Sequence, residues 1–220
     1  VALGANRIVT VNGTTEALTV GGIISGGFSL TKSGTGTLSL TGANSYSGGT
    51  IVNGGILSTN GNLGAASSSV LVNGGGTLAF TSAGAITNTV TGTGNITSSG
   101  ATISGNFSAF AGTFTHNNQF ASTSFNTAST TSKDAAYAIT SIQGSAQGMI
   151  AGFDTGNVST PYTLELGSLS GVSGSLFRGG NTAKGVATLQ IGNLNTDTTF
   201  AGSFANGTNT TIAITKVGTG

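Results

Sequence analysis

One histidine, five carboxylates and no cysteine are all that this 220-residue chain offers for acid–base, nucleophilic or metal chemistry. His116 lies in Thr115-His116-Asn117-Asn118, among residues common in turns and at strand edges, and reads as a solvated loop residue. A Ser/His/Asp hydrolase would need it as its base. No Gly-x-Ser-x-Gly elbow stands in a strand-to-helix context, since Gly105-Asn106-Phe107-Ser108-Ala109 breaks the pattern. The acids are Glu16, Asp134, Asp154, Glu165 and Asp197. A glycosidase needs two carboxyl groups about 5 to 10 Å apart. The pair to weigh is Asp154 and Glu165, 11 positions apart. Glu165 stands between Leu164 and Leu166, so it points outward if they point inward. Two isolated surface charges account for the same residues.

Metal and phosphate chemistry fare no better. A zinc site needs several His, Cys or acidic ligands together. Asp154 and Asn157 offer oxygens suited to calcium, and a turn held by Asx hydrogen bonds explains them equally. The Gly-Gly-x-Gly-x-Asp nonapeptide of calcium-binding β-rolls does not occur. The runs Gly74-Gly75-Gly76 and Gly34-Thr35-Gly36 lack the Lys-Ser/Thr tail and following helix of a phosphate loop. The expectation is no catalytic residue, no cofactor and no metal site.

The elements that would have to position any site follow from composition and repetition. Only 5% of residues are charged, 39 are Gly, 36% are hydrophobic and the net charge is +1. Disorder goes with low hydrophobicity and high net charge, so many short strands joined by tight turns is the better reading. Arg7, Lys32, Lys133, Arg178, Lys184 and Lys216 are scattered, leaving no basic stripe to neutralise phosphates, and nucleic acid is excluded as a partner. No apolar run approaches the length of a membrane helix, so this segment is not expected to insert. Val1 to Thr10 lacks the regions of a signal peptide; either a signal has been removed or the chain is an internal piece.

Self-similarity is strong. Val52-Asn53-Gly54-Gly55 returns as Val72-Asn73-Gly74-Gly75, an offset of 20. Thr163 to Leu169 returns as Thr188 to Leu194, an offset of 25. Leu30-Thr31-Lys32-Ser33-Gly34-Thr35-Gly36 returns as Ile214 to Gly220, which implies that a further repeat follows. Within a unit, Thr37-Leu38-Ser39-Leu40-Thr41 alternates as a half-buried strand does. Asn-Gly and Gly-Gly steps then supply turns. Such a unit buries its apolar face only by stacking on a copy of itself. The fold class is therefore all-β, a parallel β-helix (β-solenoid) with 20–25-residue rungs. Residues 1–220 form a single solenoid segment of a longer chain, less regular at about 111–162. Phe107, Phe110, Phe114, Phe120 and Phe125 cluster just upstream of the weakly alternating stretch Thr127 to Ala151; they fill a wider core, or present an aromatic surface to a ligand.

Residues Leu30 to Asn60 closely resemble the autotransporter-associated β-strand repeat of bacterial passenger regions. The match lies in Lys32-Ser33-Gly34-Thr35-Gly36, in Leu40-Thr41-Gly42-Ala43-Asn44 with Tyr46 and Gly48-Gly49-Thr50, and in Asn53-Gly54-Gly55 with Leu57. The resemblance implies a right-handed parallel β-helix, export to the bacterial cell surface, and a role in adhesion or display. It carries no catalytic residue. The expected function is a structural or adhesive surface fibre or passenger spacer, not an enzyme. The expected partners are neighbouring repeats or end-to-end copies, with surface glycans as a further candidate. The alternatives are a self-assembling filament subunit, or an ice- or glycan-binding module using Thr ladders such as Thr35/Thr37 and Thr91/Thr93.

Overall fold

Alternation of small polar and apolar residues sets the strands, and glycine sets where they end. The computed structural model describes residues 1–61, 63–81, 84–118, 121–126, 131–141, 152–155, 161–180 and 185–220. Among them there is no helix, and the strands fall into four sheets. The first sheet holds β1 (Arg7–Thr10), β3 (Leu30–Ser33), β5 (Thr50–Val52), β7 (Ser69–Val72) and β10 (Thr89–Gly92). The second holds β2 (Ala17–Val20), β4 (Thr37–Leu40), β6 (Gly55–Thr59), β8 (Gly76–Phe80), β11 (Asn95–Ser98), β13 (Thr113–His116), β15 (Ala136–Ile139) and β18 (Ser168–Gly171). The third holds β9 (Ala85–Ile86), β12 (Thr102–Ile103), β14 (Ser122–Phe125), β16 (Gly152–Asp154), β19 (Leu176–Arg178) and β21 (Ser203–Ala205). The fourth holds β17 (Tyr162–Leu166), β20 (Gly185–Ile191) and β22 (Thr210–Lys216).

Within each sheet the strands come from successive coils and pair in parallel. The chain is a β-solenoid of about nine turns, which at about 4.8 Å per coil stacks to roughly 40 Å. Leu30 stands over Thr50 and Thr50 over Val70, both at the offset of 20 seen in the sequence. Leu164, Leu189 and Ile214 stack at the offset of 25. The coil shortens to 18 residues between Leu78 and Ile96 and lengthens to 32 between Tyr137 and Leu169. Within 111–162 the described strands β13 to β16 continue the second and third sheets in parallel register.

The core is a set of columns. In the second sheet Leu38, Leu57, Leu78, Ile96, Phe114, Tyr137 and Leu169 occupy one inward line, and all are buried. The third sheet contributes Phe153 over Phe177, with ring centroids 5.7 Å apart, and the exposed Phe204 continues the column at 6.3 Å. Four-residue strands cannot bury a face alone, so each side chain finds its apolar neighbours in the coils above and below. Corners bring backbones close together. Gly34 has φ of +77°, and a Cβ there would lie 2.4 Å from the Val11 carbonyl oxygen of the neighbouring coil. This is why so uncharged a chain spends so many glycines.

Candidate functional site

The one histidine is not where the sequence put it. His116 is the last residue of β13 and is fully buried, correcting the expected solvated loop position. The reason is the pleat: Phe114 and His116 are two apart, so both turn inward. His116 stands in an inward column with Phe80, Ser98 and Ile139. Its Nε2 lies 2.7 Å from the Asn118 carbonyl oxygen, which only accepts, so this nitrogen carries a proton. Nδ1 lies 2.9 Å from Thr123 Oγ1, itself 2.7 Å from Ser98 Oγ. Ser98 Oγ also accepts from the backbone of Gly100 and Ala101. Thr123 Oγ1 donates to Ser98 Oγ, so the ring, both hydroxyls and two backbone amides form one buried network. Burial holds the His116 pKa below its ordinary value, against the carbonyls of Asn118 and Ala121, which favour the cation.

A base with a depressed folded-state pKa contributes stability that is complete above the unfolded value and is lost as pH falls, because the unfolded chain binds the proton more readily. The urea midpoint is therefore expected to drop as pH goes from about 7 towards 5, through the unfolded histidine pKa of about 6.5. His116→Gln should flatten that slope. An equal slope in the variant would exclude His116 as its source.

The two weighed carboxylates stand on strands of different sheets. Glu165 is exposed on β17 between fully buried Leu164 and Leu166, as the alternation required. Asp154 belongs to β16 in a different sheet, in backbone register with Ser124 and Arg178. Asn157, the other proposed calcium ligand, lies outside the described residues. Asp134 pairs with Lys133 at 2.8 Å on the surface, a contact of little energetic weight. Among the described residues no group of three His, Cys, Asp or Glu could hold a metal. No helix long and apolar enough to cross a membrane occurs among the described residues.

Aromatic residues turn inward. Phe107, Phe110, Phe114 and Phe125 are fully buried, which removes the exposed aromatic surface as a reading of those four; Phe120 lies outside the described residues. The Thr pairs also fall differently. Thr37 faces out from the second sheet and Thr91 belongs to the first, while Thr35 and Thr93 sit at exposed corners. Each pair straddles a glycine bend, so neither lies on one flat face. Ladders arise instead between coils. Two outward columns of the second sheet read Ala17, Thr37, Ile56, Thr77, Asn95, Thr113, Ala136 and Thr19, Ser39, Ser58, Ala79, Thr97, Thr115, Ala138, Ser170, while Ser168, which continues the first of them, is buried. Nine of these outward positions are Thr or Ser and none is charged, so the face offers many hydroxyls and no reactive group. At one corner Asn73 Nδ2 donates to Asn53 Oδ1 at 2.7 Å, a side-chain ladder across coils.

One buried charge escaped the sequence reading. Lys32 is fully buried, and its ammonium donates to the carbonyls of Ser33, Gly34 and Gly54 at 2.6, 2.9 and 3.1 Å. Burial lowers its pKa. The signal was available, because Lys32 is two residues after the core residue Leu30 and shares its face. Other residues that carry the repeat's resemblance also point inward. Asn44, Tyr46, Thr50 and Leu57 are buried, and the Tyr46 hydroxyl meets Thr50 Oγ1 at 2.7 Å. Burial pushes the Tyr46 pKa up to about 12.

Comparison with known proteins agrees with this arrangement. A family model described as the passenger-associated-transport-repeat matches residues 30–58, the coil that holds Lys32, Asn44, Tyr46 and Leu57. The Adhesin BmaC autotransporter of Brucella suis biovar 1 (strain 1330) is 46% identical over 68 residues, 30% of this chain. The chain spans about 2% of the length of that curated relative. No solved structure matches. At residues 30–58, within a stack of parallel coils, the chain carries the passenger-associated-transport repeat of autotransporter proteins.

Proposed function

We propose that this chain is an extracellular segment of a bacterial surface passenger, working as an adhesive or structural spacer and catalysing no reaction. The observation that carries the reading is the outward face of the second sheet, where hydroxyl columns run from coil to coil without a charge. Such a face makes many weak hydrogen bonds at once and activates no nucleophile. The name of the similar adhesin supports the same role, as does the matched repeat. Attachment to the outer membrane falls to regions other than these residues.

Solution scattering should give an elongated particle, and beads coated with the chain should adhere to glycan-coated or cell surfaces above a blank-bead control. Polysaccharide substrates should release no reducing ends. Hydrolysis abolished by Asp154→Ala or Glu165→Ala would overturn the non-catalytic reading. Filaments in electron micrographs of the purified chain would replace the spacer role with self-assembly.

A further inference from the structure

Five Asn-Gly steps lie between strands: Asn12-Gly13, Asn53-Gly54, Asn60-Gly61, Asn73-Gly74 and Asn206-Gly207. The dipeptide has a chemistry of its own. Glycine puts no side chain in the way when its backbone nitrogen closes a ring onto the preceding asparagine Cγ. Attack within the chain also needs no encounter between molecules. Whether a step can react then depends on what its glycine nitrogen is doing. Three of the five are engaged. The Gly13 N–H donates to Thr35 Oγ1 at 3.0 Å, the Gly61 N–H to Thr59 Oγ1 at 3.3 Å, and the Gly207 N–H to the Thr210 carbonyl at 2.9 Å. Among the described residues the N–H groups of Gly54 and Gly74 make no such bond.

Asn53 has two advantages over Asn73. Its Oδ1 accepts from Asn73 Nδ2 at 2.7 Å, so a donor already stands where negative charge develops as Cγ becomes tetrahedral. The Lys32 ammonium donates to the Gly54 carbonyl at 3.1 Å, so the residue that must give up its amide proton has a cation against it. In Asn73 the nitrogen that would have to leave is itself held as the donor. Asn53 is exposed, which leaves room for water.

We infer that Asn53 is a site of spontaneous deamidation, assisted by the Asn73 amide. The Gly54 nitrogen loses its proton to solvent and bonds to Asn53 Cγ. The Cγ–Nδ2 bond breaks, and ammonia leaves with a proton taken from water. A second water opens the cyclic imide at either carbonyl, giving aspartate or isoaspartate at position 53. The aspartate keeps its bond from Asn73, now charge-assisted. An outward corner of a rod with few charges thus gains a carboxylate as it ages, beside the Lys32 clamp.

The test is to incubate the whole folded chain in mildly alkaline buffer and follow each step by peptide mass spectrometry. The same chain unfolded in urea gives each step its unstructured reference rate. Relative to that reference, Asn53 should convert several-fold faster than Asn12, Asn60 and Asn206, yielding both acid isomers. Gly54→Ala blocks ring closure and fits the coil: a Cβ there meets nothing nearer than the Gly34 carbonyl oxygen at 3.4 Å, and the backbone is not left-handed. It should slow conversion several-fold. Asn73→Ala should slow it too, well short of the roughly hundredfold that a preorganised enzyme donor supplies. Conversion of Asn53 no faster than that of Asn12 and Asn206 in the folded chain overturns the site. An unchanged rate in Gly54→Ala also overturns it, and an unchanged rate in Asn73→Ala overturns the assistance.

Discussion

Phe114→Ala is expected to cost about 3–5 kcal/mol of unfolding free energy, the scale for removing a ring from a packed core. Phe114 is fully buried on β13, where the second sheet faces the third. Its ring centroid lies 5.7 Å from Phe125, 5.9 Å from Tyr137, 6.0 Å from Phe153 and 6.2 Å from Phe107. Four rings therefore pack against it, and the backbone columns on both sides limit collapse into the hole. Because coils contact mainly their neighbours, the damage should be local. Hydrogen exchange should speed up in β13, β15 and β16 while β4 and β6 stay protected, alongside a lower urea midpoint by circular dichroism. Phe204, 37% exposed, is the control, and Phe204→Ala should cost less. A loss at Phe114 below about 1 kcal/mol, the centre of ordinary point mutations, would contradict the aromatic core.

Lys32→Met should be nearly as severe, at about 2–4 kcal/mol, the scale of one or two buried acceptors left unsatisfied. The ammonium joins Ser33 and Gly34 of its own corner to Gly54 of the next coil, so the variant fills the volume while the Gly34 and Gly54 carbonyls lose this donor; the Ser33 carbonyl still accepts the Val11 N–H. Lys32→Arg should not rescue, because a planar guanidinium cannot aim three donors from the same point. Lys216 occupies the matching place in the second copy of the motif, bound to the carbonyls of Val217 and Gly218 at 2.7 and 3.2 Å, and is exposed. Lys216→Met should therefore stay within about 0.5 kcal/mol, as surface changes do. Equal losses at both lysines, measured by urea unfolding of this chain, would show that the clamp is not the cause.

Repeat spacing made most of the architecture legible. The offset of 20 in Val52-Asn53-Gly54-Gly55 became the register of Val52 over Val72, and Leu38 fell inward because it alternates with Thr37 and Ser39. The same rule applied to Lys32 and His116 would have placed both inside. Residue type argued for solvent and pleat geometry argued for the core, and the pleat prevailed because each polar head finds acceptors within its own corner or coil. How the two buried asparagines are held was not legible at all. The Asn88 amide donates to the carbonyls of Leu63, Ala65 and Ser68 while Asn44 Nδ2 meets none, because that depends on how two corners from different coils approach one another.

By itself, then, the sequence determined a stack of parallel strands, its repeat offsets of 20 and 25 residues and the poverty of its chemistry, since alternation, glycine corners and missing reactive side chains are all properties of the linear chain. The tertiary structure alone decided which residues share a column, that a lysine and a histidine lie in the core, and which hydroxyls form ladders on the outer face. Those outcomes depend on register between coils some 18 to 32 residues apart. Shifting one strand by a single position moves every one of its side chains to the opposite face.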